Sequence, residues 1–269
     1  MSVSYTRFSN NLGKTNLIAH WNRCLDLLQE EEYFCLFSDD DVMESRCVEA
    51  FYQSLETSLL FDVYHFNIHI IDEYGNLIRK CPDYPERLSS IDFFKLLYTS
   101  QIDARMPEFI FNTRYFRLCK GFVGFDLAFR SDNATVMSCA QDKGIYTIPL
   151  VKVLWRDSGK NISSDRNVSI EIKYRKAKAT IAFCNWLNAF FIRNSQKNPL
   201  SRREERKLAL RDIKALYPDY SFKTLGKLLH LFEHLSSNKC LFLYYWIDLF
   251  LCIQKRHVKR IGGFLRNYF

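Results

Sequence analysis

Five consecutive apolar residues, Tyr33-Phe34-Cys35-Leu36-Phe37, stop abruptly at Ser38-Asp39-Asp40-Asp41. A run this short, set between helical patterns, predicts a strand covered on both faces, as in a parallel sheet. The helical patterns are explicit. Ahead of the run, Leu17, Trp21, Cys24, Leu25 and Leu28 recur at helical spacing, and behind it Val42, Met43, Val48, Phe51, Tyr52 and Leu55 do the same. The carboxylates then stand at the carboxyl end of a strand, where open α/β sheets form their ligand sites. Three adjacent carboxylates repel one another, and a hard cation such as Mg²⁺ or Mn²⁺, with the phosphates it carries, relieves that repulsion. Capping the helix that follows is the alternative use for these residues.

The rest of the front half continues in the α/β manner. A strand is expected from Leu60 to Ile71, followed by a turn at Glu73-Tyr74-Gly75-Asn76. Ser90 is placed to cap a helix carrying Phe94 and Leu97, Pro107 to Phe111 reads as extended, and Asn133 to Asp142 reads as a helix stopped by Gly144. Two more strands are expected, at Tyr146 to Pro149 and at Val151 to Arg156. Beyond Asp165 strand signals fade into helical stretches near 168–194, 201–216, 222–235 and 239 to the end. The polar loop from Asp157 to Asn167 is the expected boundary, dividing the chain into residues 1–165 and 166–269.

Charge follows the same division. Residues 1–150 carry 14 Lys+Arg against 21 Asp+Glu, a net of −7, whereas residues 151–269 carry 24 against 9, a net of +15. An acidic front suited to cations and a basic back suited to anions are two different surfaces. The 269-residue chain is long enough to bury a core without disulfide staples. Its nine cysteines contain no C-x-x-C pair, and the opening MSVSYTRFSNN lacks a signal-peptide pattern, so buried thiols and a cytoplasmic location are expected. His65 with His69, and His230 with His234, are spaced as pairs but bring no third ligand, so neither is expected to hold metal. Gly13-Lys14-Thr15 is not a phosphate loop, because Phe8 stands where that motif needs glycine.

Taken together, SNNLGKTNLIAHWNRCLDLL, YFCLFSDDDVM, HFNIHIIDEYGNLI, GFVGFDLAFRSDNATVMSCAQDKGIYTIP and VLWRDSGKNISSD resemble, in order and spacing, the family 2 glycosyltransferases of the GT-A fold. The resemblance spans roughly residues 5–165. It implies a GT-A-like (Rossmann-like), mostly parallel sheet flanked by helices, and the activity of an inverting glycosyltransferase that uses a nucleoside diphosphate sugar and a saccharide or lipid-linked acceptor in cell-surface polysaccharide assembly. By the resemblance Asp41 and Asp39 hold Mn²⁺ or Mg²⁺, and Asp39, Asp40, Asn11, Gly13, Lys14 and Arg156 adjoin the donor. Asp132 takes the place of the catalytic base, with Asp126 as its substitute and an N-cap as its alternative role. Ser131 before Asp132 departs from the family's Glu-Asp pair. Family members also carry about two further βα units of ~30 residues ahead of the metal motif, so the front of the nucleotide-binding domain is expected to be truncated here.

Other readings of the same residues are an inactive transferase relic, a haloacid-dehalogenase-type phosphatase, since those also follow an apolar strand with Asp-x-Asp, and a basic module for nucleic acid. The last has no recognisable motif, so nucleic acid is not an expected partner. Near the end, Leu241 to Ile253 is an apolar run around a lone Asp248, followed by Lys255, Arg256, His257, Lys259 and Arg260. At thirteen residues it is too short to span a bilayer, and it is expected either to pack as a core helix or to lie on an anionic membrane surface, which would make the protein peripheral at the inner face of a membrane.

Overall fold

The computed structural model describes residues 3–13, 15–56, 60–159, 169–216, 219–231 and 243–255. Contacts divide the chain into two units, Met1–Arg166 and Asn167–Phe269.

In the first unit, α1 (Leu17–Leu25) is capped by Asn16, whose side chain accepts the N–H of Ala19. It precedes β1 (Tyr33–Cys35), β2 (Val42–Met43), α2 (Cys47–Leu55), β3 (Val63–Ile71), β4 (Leu77–Lys80), β5 (Arg87–Leu88) and α3 (Ser90–Tyr98). Then come β6 (Phe109–Asn112), α4 (Thr113–Leu118), α5 (Ser131–Cys139) and β7 (Ile145–Arg156). The sheet runs in the order β1-β6-β3-β7-β2, with β4 added to β3 and β5 to β7.

The architecture is α/β, but the sheet is mixed and not mostly parallel as expected. Of the strand pairs among the described residues, β3 with β7 is parallel, and every other pair is antiparallel. The apolar run at Tyr33 misled because unbroken apolarity reports two covered faces, not strand direction. Phe34 lies against Phe111 and Phe116 on one side of β1, while Tyr33 packs on Phe51 and Tyr64 on the other. β1 is nonetheless antiparallel to β6.

Three local readings also change. The helix expected from Val42 begins only at Cys47, because Val42 and Met43 pair with β7. Glu44 holds that detour: its N–H donates to Lys152 O at 3.2 Å, and its carboxylate accepts the Lys152 N–H at 2.8 Å. Ser89, not Ser90, caps α3 by accepting the Asp92 N–H, whereas the buried Ser90 hydroxyl donates to Met137 O at 2.8 Å. Finally, the two strands expected around Pro149 are one. Its register steps from Phe66 opposite Ile148 to Asn67 opposite Lys152, leaving Pro149, Leu150 and Val151 as a bulge where proline's missing N–H is tolerated.

Side-chain alternation along β3 builds a core on each face of the sheet. Tyr64, Phe66, Ile68 and Ile70 join Phe51, Phe61, Val153 and Trp155 on one face. Val63 and His65 stand beside their register partners Phe111 and Phe109 on the other. Each buried ring contributes roughly 1.5–3 kcal/mol of apolar transfer.

The second unit is helical among its described residues. α6 (Ile170–Arg193) buries Ala177, Ile181, Cys184, Leu187 and Phe191 at helical spacing. α7 (Arg202–Ala215) starts with a reciprocal capping box between Ser201 and Glu204, and Ser221 caps α8 (Phe222–Leu229). The segment 243–255 is a further helix. Lys214 bonds Asp248 at 2.8 Å, and Gly226 leaves room for the Trp246 ring, which a Cβ there would meet.

Candidate functional site

Strand pairing carries Asp41 to the carboxyl end of β7. Val42 pairs with Leu154, so the residues just before β2 lie beside Trp155 and Arg156. Asp41 Oδ1 accepts the backbone N–H of Arg156 at 2.7 Å, which fixes the carboxylate, while Oδ2 is buried and makes no hydrogen bond among the described residues. Burial pushes the Asp41 carboxyl above its usual range, against the pull of the Arg156 N–H; Asp40 adds to the rise, and the Ser38 hydroxyl and the Arg156 charge oppose it. Asp39 and Asp40 are exposed on the approach to it.

The Arg156 guanidinium ties together the backbone around this carboxylate. Its Nε donates to Asp40 O at 2.7 Å, and Nη1 donates to Asp72 O at 2.8 Å and Glu73 O at 3.1 Å. The last two carbonyls belong to the β3–β4 turn, so one side chain links the entry to β2, the end of β7 and the end of β3. That turn is itself organised by Asp72, which accepts N–H groups from Tyr74 and Asn76.

Asp132 lies in the first turn of α5. It is not the N-cap: Arg130 occupies that position with φ +75°, and Leu127 and Ala128 before it also have positive φ, at +60° and +52°. Three left-handed non-glycine residues within four positions store strain of a kind that persists only when surroundings enforce it. Ser131 and Thr135 enforce it, accepting the N–H groups of Phe125 and Val123 through their hydroxyls. Asp132 Oδ1 accepts the Asn133 N–H at 2.8 Å. Burial raises the Asp132 carboxyl above the usual range, opposed by that N–H and by the charge of Arg105. Asp126 is exposed on the turn that precedes Arg130.

Arg105 is a residue the sequence does not announce, since nothing in Asp103-Ala104-Arg105-Met106-Pro107 distinguishes it. Its guanidinium lies 4.7 Å from the centre of the Trp155 ring, next in sequence to the Arg156 brace, while its charge acts on Asp132. Nη1 donates to Ala104 O at 2.7 Å, and Nε is buried without an acceptor among the described residues. Behind it sits a wholly buried pair: His65 Nε2 and Glu108 Oε1 are 3.3 Å apart, each side chain 0% exposed, and the Tyr84 ring stacks on His65 at 3.7 Å. His65 and His69 serve separate partners, Glu108 and the Ile68 carbonyl.

Hydrogen bonds bring Asp41, Asp40 and Arg156 together. Asn11 and Gly13 lie in the exposed loop before α1, where the Asn11 side chain accepts the Gly13 N–H at 2.9 Å; no hydrogen bond among the described residues joins them to Asp41 or Asp132. Lys14 falls outside the described residues. Among the described residues no three His, Cys, Asp or Glu side chains converge as a metal cage.

No protein-family model and no curated protein matches this sequence. Among solved structures the chain is similar to S. aureus TarS 1-349, with a TM-score of 0.42 and 13% identity, over 87% of this chain and 70% of that one. A likeness this loose decides nothing about chemistry.

Proposed function

We propose that the first unit is the catalytic part of an inverting glycosyltransferase, which moves a sugar from a nucleoside diphosphate sugar to a hydroxyl of a saccharide or lipid-linked acceptor. The observation that carries this reading is the Asp41 carboxylate, with one oxygen fixed by the Arg156 N–H and the other buried and unbonded. A buried carboxylate oxygen without a partner is costly, and a cation relieves that cost. Mn²⁺ or Mg²⁺ held by Asp41 and Asp39 would neutralise the charge that develops on the leaving diphosphate.

The remaining roles follow from the surroundings. Asp132 accepts the acceptor's hydroxyl proton as the new C–O bond forms, and its raised pKa brings it nearer the working range of a general base. The bond between the anomeric carbon and the diphosphate oxygen breaks with its electron pair going to that oxygen, so attack from the opposite side inverts the centre. The Arg105 charge opposes the rise that burial imposes on the Asp132 pKa. Arg156 holds the Asp40 and turn carbonyls that frame the donor side.

Calorimetric titration with UDP and GDP, each with and without Mn²⁺, tests the reading. Cation-dependent binding that Asp41→Ala removes and Asp132→Asn retains, with Asp132→Asn losing transfer to acceptor, is the expected result. Absence of nucleotide binding, or affinity unchanged in Asp41→Ala, overturns it.

A further inference from the structure

The apolar run near the end of the chain resolves into two faces. In the helix 243–255, Tyr245, Leu249 and Ile253 are buried, one turn apart, against the second unit. Leu243, Tyr244, Ile247, Phe250 and Leu251 recur at i, i+1, i+4, i+7 and i+8 and are 46–60% exposed. A helix with solvent on that side ordinarily presents charge there. Here its charged residues are Asp248, bonded to Lys214, and Lys255 at the end. The helix is therefore anchored by one apolar face and presents a second, contiguous apolar face outward, the pattern of an interaction surface.

Charge identifies the occupant. Lys255, Arg256, His257, Lys259 and Arg260 follow the exposed face directly in sequence, and residues 151–269 carry a net +15. Apolar side chains followed by a cluster of cations match a bilayer with acyl chains beneath and anionic headgroups around. The thirteen described helical residues, at ~1.5 Å each, cover ~20 Å against ~30 Å of hydrocarbon. No described helix is long and apolar enough to cross a membrane.

We infer that the exposed face of helix 243–255 docks on an anionic lipid surface, lying in the plane of the interface. The inference stands apart from the chemistry assigned to Asp41 and Asp132, and neither tests the other. If that chemistry also holds, docking concentrates the enzyme where lipid-linked acceptors lie.

The test is vesicle flotation of the full chain. Vesicles of phosphatidylcholine with about a third phosphatidylserine are expected to carry the protein at low salt, with at least roughly tenfold weaker partitioning to pure phosphatidylcholine and release at high salt. Ile247→Glu with Leu251→Glu is expected to cut partitioning about tenfold or more while leaving circular dichroism and melting unchanged, because both side chains are exposed. Should that variant misfold, replacing Arg256, Lys259 and Arg260 with Gln leaves the apolar face intact and is expected to weaken anionic binding by a similar factor. No flotation of the wild type, flotation insensitive to both variants, or a concentration-dependent dimer in analytical ultracentrifugation that the Glu variant abolishes would each overturn the inference, the last assigning the face to a second copy of the chain.

Discussion

Asp41 and Arg156 are joined twice over: the Arg156 N–H donates to Asp41 Oδ1, and the same residue's guanidinium holds the neighbouring Asp40 carbonyl. The first bond needs only a backbone N–H and survives replacement of the side chain by any residue but proline, and the second does not. Arg156→Ala therefore separates positioning from binding. It is expected to lower stability by about 1–3 kcal/mol in urea unfolding and to weaken nucleotide binding about tenfold, as the β3–β4 turn and the approach to β2 loosen. Arg156→Lys should recover little, since an ammonium cannot reproduce the fork that reaches three carbonyls. Unchanged binding in Arg156→Ala would show that the carboxylate keeps its place without the brace.

The buried His65–Glu108 pair makes a prediction about pH. Burial drives the His65 pKa well below 6.5 and the Glu108 pKa well above 4.5, so it favours the form with a neutral imidazole and a protonated carboxyl, which holds one proton. Between 4.5 and 6.5 the unfolded chain also holds one on these two residues, so the pair gives no pH slope there. Below 4.5 the unfolded chain gains a second proton, and above 6.5 it has lost both while the folded pair keeps one; stability falls in both directions, at up to ~1.4 kcal/mol per pH unit. Glu108→Gln removes the alkaline limb, leaving His65 alone, whose contribution is then full above 6.5 and falls below it. Denaturant midpoints across pH for the two proteins check this, and superimposable profiles would refute it.

Gly144 gives the sharpest structural prediction. It follows α5 with φ +79°, and a Cβ built there would stand 2.6 Å from the Leu88 carbonyl oxygen. Gly144→Ala is expected to cost about 1–3 kcal/mol, because both the backbone conformation and the contact with β5 oppose a side chain. A variant equal to wild type in urea unfolding would mean that β5 moves aside freely.

Several elements were legible before any coordinates because their signals are local. The Leu17 to Leu25 periodicity marks α1 and Glu73 to Asn76 marks the β3–β4 turn, whereas the helix expected over 133–142 runs from Ser131 to Cys139 and ends at Ala140, before the turn that leads to Gly144. Strand direction was not legible, since Phe34 is equally apolar beside a parallel or an antiparallel neighbour. β2 was hidden because Val42 and Met43 also fit the helical pattern, and only Lys152, over a hundred residues later, draws them into the sheet. Within the site, the aspartates stand out as a cluster, whereas Arg105 stands out only by its neighbours, Trp155 and Asp132, which the fold supplies.

The bulge at Pro149 to Val151 sets the parity of everything after it. Ile148, Val153 and Trp155 share one core cluster although an unbroken strand would send 148 to the opposite face from 153 and 155. Three inserted residues act as a half-period phase shift. An exact alternation through that region would turn Trp155 away from Arg105 and exchange the faces on which the last residues of β7 project. The exposed kink at Leu150 thus decides on which side of the sheet Trp155 and its neighbours at the end of β7 project.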